Sequence, residues 1–168
     1  CGRARARQTR LGEDGHHRVV PICLHGDAAF AGQGITSETL NMAGLPGYDV
    51  GGTVHVLVNN LIGFTAEPLS LHTSRYAADA AKRLEIPILH VNGEDLAALE
   101  RAGRIAIEYR QRFGDDVLID LIGYRRYGHS EVEDPTTTSP KLYERIGDRE
   151  LLYEIVARQW EVDQQTLD

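Results

Sequence analysis

Two short turns hold the residues best suited to chemistry. HGDAAFAGQG at residues 25–34 and VNNLIGFT at 58–65 each follow an apolar, β-rich run. Asp27 and Asn60 lie 33 positions apart, about the length of a strand, a crossover helix and a second strand, so both can reach one carboxyl edge of a parallel sheet. Asp27 offers a charged oxygen, Asn60 a neutral amide oxygen, and a main-chain carbonyl in the 61–63 turn a third. Such a set suits magnesium, a hard cation that takes oxygen ligands octahedrally and completes its shell with phosphate oxygens and water. Gly26, the small pair Ala28 and Ala29, and Gly32 and Gly34 let main-chain amides come close to a diphosphate. A helix opening near Gly34 would turn its positive end toward that group.

The elements that must position these turns are legible in the hydropathy pattern. Residues 19–25, 53–59, 86–91 and 116–124 are runs of strand length dominated by Val, Ile and Leu, as expected for strands covered on both faces. Helices are expected over 35–43 and 76–84. Leu96, Leu99, Ala102, Ala106, Tyr109 and Phe113 keep helical spacing on one face of a third. Glu94, Asp95 and Glu100 near its start and Arg110 and Arg112 near its end complement the helix dipole, and Gly114 stops it. The expected fold class is α/β: a doubly wound, mostly parallel sheet with helices on both faces. A polar loop, SEVEDPTTTSP, follows Gly128, and a final helix is expected over 149–160. The divisions read as a polar lead-in over 1–18, an α/β domain over 19–146, and a C-terminal helix over 147–168 leading toward a further domain.

At 168 residues and 42% hydrophobic content, the chain has enough apolar material for one core. A net charge of −7 provides no basic patch for nucleic acid, and no apolar run reaches the roughly 18–20 residues that span a bilayer. Neither partner is expected. Cys1 and Cys23 lack metal-type spacing, and Cys23 reads as a small core residue of the first strand in a reducing compartment. The chain opens CGRARARQTR and runs into a polar, His-containing turn, and it reads as a piece of a longer polypeptide. The arginines there lack the Ser-rich amphipathic pattern of an organelle-targeting signal.

Asp27 and Asn60 together resemble the thiamine-diphosphate motif, which opens with Gly-Asp-Gly and closes some thirty residues later with Asn-Asn. Here Ala28 stands at the third position. Gly-Asp-Ala-Ala is the form found in the first, decarboxylating component of the 2-oxoglutarate dehydrogenase complex. GQG at 32–34, ETLNM at 38–42, GYDVGGTVH at 47–55, NN-x-IGFT at 59–65 and YRRYGHSEVEDP at 124–135 resemble that family in order and spacing, over roughly residues 5–146. The resemblance implies a thiamine-diphosphate-binding fold, with magnesium held by Asp27, Asn60 and the Ile62 carbonyl. Gly26, Ala28 and Ala29 would line the diphosphate turn. It also implies oxidative decarboxylation of a 2-oxo acid, 2-oxoglutarate, with the acyl unit passed to a lipoyl group on a second component. The cofactor would supply the difficult chemistry and the protein its orientation. The glutamate that activates the aminopyrimidine and the substrate-binding histidines would come from other domains of the same polypeptide, across a homodimer interface. The isolated chain would be inactive. A bacterial cytoplasm is the expected setting, with a mitochondrial matrix as the alternative.

The catalytic residues stay open within this segment. His25, beside Asp27, could face a cofactor or be satisfied within the core, and His129 resembles a residue near the active-site entrance of 2-oxo acid dehydrogenases. His55 and His90 read as structural, and His16 and His17 as a surface turn. Gln33 could bond a cofactor, or GQG could be a backbone requirement. Arg125 and Arg126 are placed to pair with Glu131, Glu133 or Asp134. Three other readings compete. The α chain of another 2-oxo acid dehydrogenase would usually show glycine at position 28 and histidine at Tyr127. A Rossmann-type domain would need a GxGxxG that is absent here. An assembly domain could keep the fold and turn over nothing.

Overall fold

The Val-, Ile- and Leu-rich segments form strands β1 (Ile22–Gly26), β2 (Val54–Asn59), β3 (Ile88–Asn92) and β4 (Val117–Ile122). All pair in parallel, in the order β1-β2-β4-β3. The computed structural model describes residues 1–130 and 132–160. Helices α1 (Gly2–Leu11) and α2 (Gly15–Arg18) precede the sheet. Then α3 (Asp27–Gly32) and α4 (Gly34–Met42) follow β1, α5 (Leu96–Phe113) joins β3 to β4, and α6 (Pro135–Thr138), α7 (Pro140–Gly147) and α8 (Leu152–Trp160) close the described chain.

Strand alternation sends successive side chains to opposite faces, and each face has its own core. On one, Leu57 and Leu118 pack with Phe30, Leu40, Ala77, Ala78 and Ala81. On the other, Val54, Val91, Val117 and Ile119 meet Ala102 and Ala106 of α5. Full burial of a side chain such as Phe30 or Leu40 stabilises the fold by about 1.5–3 kcal/mol. Helices thus cover both faces of a parallel sheet, the doubly wound arrangement expected. Cover is incomplete at β1, where Ile22 and Leu24 on the α5 side are 62% and 70% exposed.

Helix α5 has the expected bounds because its ends are chemically marked. Asp95 accepts a hydrogen bond from Ala98 N–H at 2.8 Å, and Gly114, at φ 67°, donates to the Arg110 carbonyl at 2.9 Å. Arg110 departs from its expected role as a surface partner of the dipole. It is 1% exposed and donates to the carbonyls of Gly52 (3.1 Å), Val50 (2.7 Å) and His16, tying α2 to the loop before β2. Gly52 is required at that loop: its φ is 81°, and a Cβ would sit 2.1 Å from the Asp115 carbonyl oxygen.

Several expectations are corrected. The expected turn before β1 is helical, anchored by buried Gln8, whose Nε2 donates to the carbonyls of Val19 and Val50 at 2.9 Å each. The polar composition of 1–18 hid this, since one glutamine and one buried arginine substitute for an apolar stripe. The 76–84 segment is a 3-10 helix, Ala77–Arg83. Strand β1 begins at Ile22 rather than residue 19 because Pro21 cannot donate to a ladder. The last helix starts at Leu152 rather than 149. The remainder of the expected C-terminal segment, 161–168, lies outside the described residues.

Candidate functional site

Asp27 comes one residue after the end of β1 and Asn60 one residue after the end of β2. These strands are neighbours with Gly26 level with Val58, so both residues emerge at the carboxyl edge. Asp27 opens α3 directly, and the helix at Gly34 is a second one, one residue beyond the first. The turn expected over 25–34 is therefore mostly helix, and Gln33 is the hinge between the two.

The Asp27 side chain is almost sealed, with the residue 4% exposed, and burial raises its carboxyl pKa. Main-chain N–H groups of Asp27, Asn60, Ala28 and Leu61 oppose that shift. The two turns therefore meet, the amides of one against the carboxylate of the other. Among the described residues no Lys, Arg or His pairs with Asp27. A buried acidic group with no cationic partner can serve as an oxygen ligand to a hard cation.

The second turn is held by its own asparagines. Asn59 Oδ1 accepts from Leu61 N–H at 3.2 Å and Asn60 Oδ1 from Ile62 N–H at 3.0 Å. These bonds stabilise Leu61 at φ 59°, in the left-handed region that non-glycine residues seldom adopt. Asn59 is itself anchored, its Nδ2 donating to Asp120 Oδ1 at 3.2 Å, while Asp120 Oδ2 meets His90 Nδ1 at 2.8 Å. Asp120, fully buried in the middle of β4, therefore reaches the Asn60 turn through Asn59. It was not singled out in the sequence. The available signal was an acid inside the apolar run VLIDLI.

Asp27, Ala28, Gly32 and Gly63 line a cavity of about 380 Å³ at this edge. That is room for a diphosphate, a cation and water. Gly26, Ala29, Asn60 and Ile62 do not line it. Asn60 instead borders a separate, mostly apolar cavity of about 720 Å³ with Val58, Leu121, Tyr124 and Val156. An amide oxygen has two lone pairs, so Asn60 Oδ1 keeps one acceptor site beside its bond to Ile62.

His25 projects from the sheet face opposite α5. Its Nε2 lies 2.9 Å from His55 Nδ1, its ring meets Phe30 edge-on at 5.0 Å, and burial first, then His55, lowers its pKa. His129 sits in the exposed loop after β4, its Nδ1 2.7 Å from Arg125 Nη1 and its N–H donating to Glu133 Oε2 at 2.6 Å. Arg126 donates to the Arg149 carbonyl at 2.6 Å. Among the described residues neither arginine pairs with Glu133 or Asp134 as expected, because His129 and a main-chain carbonyl take their donors. Glu131, the other proposed partner, lies outside the described residues. Ser139 Oγ donates to the Phe64 carbonyl at 3.2 Å, joining the segment after this loop to the turn that carries Asn60.

A parallel doubly wound sheet with an acidic turn and a paired-asparagine turn on adjacent strand ends defines the class of α/β domain. The chain belongs to the dehydrogenase E1 component family, which it matches over residues 1–156. It is 56% identical over 151 residues to the 2-oxoglutarate dehydrogenase E1/E2 component of Corynebacterium glutamicum, covering 89% of this chain and 12% of that protein. It is 49% identical over 152 residues to the 2-oxoglutarate dehydrogenase E1 component of Oceanobacillus iheyensis, and 49% over 150 residues to that of Bacillus subtilis. Those two matches cover 88% and 86% of this chain, and 16% of each relative. The chain thus corresponds to a fragment of such an enzyme. No described helix is long and apolar enough to cross a membrane.

Proposed function

We propose that this chain is the magnesium- and diphosphate-binding part of an enzyme that oxidatively decarboxylates 2-oxoglutarate and passes the succinyl unit to a lipoyl group. The observation that carries the reading is Asp27, a buried carboxylate without a cationic partner, set against the main chain of the Asn60 turn at the carboxyl edge of the sheet. Asp27, the Asn60 side chain and the Ile62 carbonyl would hold magnesium. Gly26, Ala28 and Ala29 would keep the diphosphate side free of bulky groups, and residues 19–146 would form the binding unit. Thiamine diphosphate, when bound, supplies a nucleophilic carbon and an electron sink for decarboxylation.

The chain's own residues orient and exclude. Asp120 through Asn59 fixes the turn that carries Asn60, and Phe30 and the 3-10 segment Ala77–Arg83 close the sheet face beneath Asp27. Residues 1–18 lead into the unit, and 147–168 lead toward another domain. The group that activates the cofactor would come from the remaining domains and a second subunit. Bare Ile22 and Leu24 support such cover. The bacterial relatives support a bacterial cytoplasm, and the chain alone would turn over nothing.

A chimaera tests this reading. The matching segment of the Corynebacterium glutamicum relative is replaced by this chain, and 2-oxoglutarate-dependent reduction of an artificial electron acceptor is measured. Activity that is lost on Asp27→Ala supports the proposal. A folded chimaera that binds no thiamine diphosphate, or turnover by the 168-residue chain alone, contradicts it.

A further inference from the structure

One cluster on the sheet face opposite α5 has no part in the proposed diphosphate site. Cys23 and His25 alternate along β1, and His55 lies level with Cys23 on β2, so all three side chains project from the same face. The Cys23 sulfur and one ring nitrogen from each histidine lie within 4.8 Å of one another. Cys23 is therefore more than the small core residue its apolar run suggests. It is half-buried and, with His55, Thr53 and Asp116, lines a cavity of about 800 Å³ near the amino edge of the sheet.

From this geometry we infer that Cys23, His25 and His55 form a site for a thiophilic transition-metal ion, with zinc as the ion it fits best. The donor set is one thiolate and two imidazoles, borderline-soft ligands suited to zinc and unsuited to magnesium. Tetrahedral zinc with bonds of roughly 2.3 Å to sulfur and 2.0–2.1 Å to nitrogen separates its donors by roughly 3.3–3.6 Å. Here His25 Nε2 and His55 Nδ1 are 2.9 Å apart, and one ligand atom from each of the three residues lies within 4.8 Å of the others. Side-chain adjustments of about an ångström would bring all three to bonding distance.

The His55 tautomer is already set for it. Asp116 Oδ2 lies 3.4 Å from His55 Nε2 and can only accept, so that nitrogen carries the hydrogen and Nδ1 presents its lone pair toward His25. Asp116 is held in turn by Thr53 N–H, donating to Oδ1 at 2.7 Å. A carboxylate behind a metal-binding histidine orients the ring and raises its basicity. Binding requires the His25 hydrogen to shift from Nε2 to Nδ1 and the Cys23 thiol to release its proton to solvent. Nothing is oxidised. Three protein ligands leave a fourth position for water or an exogenous ligand, the open coordination that distinguishes catalytic from purely structural zinc sites.

The test is a titration of the full chain with Co²⁺ in excess Mg²⁺, following the sulfur-to-cobalt charge-transfer absorption, and then displacement by Zn²⁺ against a chromophoric chelator. The band is expected in the parent and in Cys1→Ser, and absent in Cys23→Ser. Removing a ligand should cost at least the 10- to 100-fold in affinity that loss of a supporting group costs, so Cys23→Ser and His55→Ala should each bind Zn²⁺ at least about tenfold more weakly. Far-ultraviolet circular dichroism checks folding. If His55→Ala does not fold, the near-isosteric Cys23→Ser decides. An unchanged band in Cys23→Ser, loss of the band in Cys1→Ser, or a folded parent that takes up neither ion would overturn the inference.

Discussion

Replacing Asp120 by alanine strips two hydrogen-bond donors of their acceptor in the centre of the sheet. Asp120 is fully buried, and its carboxylate serves Asn59 Nδ2 at 3.2 Å and His90 Nδ1 at 2.8 Å. A buried donor left unpaired costs about 1–3 kcal/mol. Asn59, 4% exposed, would bear that cost in full, whereas the His90 side chain, 31% exposed, recovers water. The expected loss for Asp120→Ala is therefore about 2–4 kcal/mol. Asp120→Asn keeps an acceptor for Asn59 and, with His90 in its other tautomer, offers that ring a donor, so its cost should be nearer about 1 kcal/mol. Urea unfolding followed by circular dichroism reads this as a fall in midpoint at constant slope. The alanine variant should also lose magnesium-dependent thiamine diphosphate affinity, because Asn59 orders the turn at Leu61 that carries Asn60. Alanine and asparagine variants of equal stability, or an alanine variant within about 0.5 kcal/mol of the parent, would refute the reasoning, since surface-like tolerance is incompatible with a sealed network.

Asn60→Ala should weaken magnesium-dependent cofactor binding by at least about tenfold, a loss of roughly 1.4 kcal/mol, while Ile62→Val leaves it unchanged because the carbonyl remains. Calorimetry on both variants checks the pair, and equal large losses would mean that Ile62 acts through its side chain. Gly52→Ala should destabilise the fold by more than about 2 kcal/mol, since φ is 81° and the new Cβ would sit 2.1 Å from a main-chain oxygen. A melting temperature within a degree or so of the parent would argue against that backbone path. Arg110→Met keeps bulk but leaves the buried Gly52 carbonyl without its side-chain donor and the Val50 carbonyl with Gln8 alone, and should cost about 1–3 kcal/mol in denaturant unfolding. A neutral or stabilising result would show that burying this guanidinium without a carboxylate partner outweighs the bonds it makes.

The strands and α5 were legible in the sequence because each carries its own local signal. Those signals are runs of Val, Ile and Leu for covered strands, and a capped 3.6-residue repeat from Leu96 to Phe113 for the helix. Meeting of the Asp27 and Asn60 turns followed from crossover spacing alone. Long-range polar contacts were not legible. Arg110 resembles any helix-end cation until the fold brings Val50, Gly52 and His16 to it. The sequence separations of Cys23, His25 and His55 lack a metal-ligand pattern because β1 and β2 meet only across a crossover. Gln8 gave no sign of burial, since only the carbonyls of Val19 and Val50 make its place in the fold.

The central claim, that the Asp27 and Asn60 turns together hold a divalent cation and a diphosphate, is tested most directly by paramagnetic relaxation. Mn²⁺ accepts the same oxygen ligands as Mg²⁺ and broadens nearby amide resonances even when binding is weak. With thiamine diphosphate present, Mn²⁺ should broaden the amides of residues 26–29 and 60–63 first, and Asp27→Asn, in folded protein, should abolish the effect. Broadening centred on the exposed acids of the surface, or unchanged in Asp27→Asn, would contradict the account.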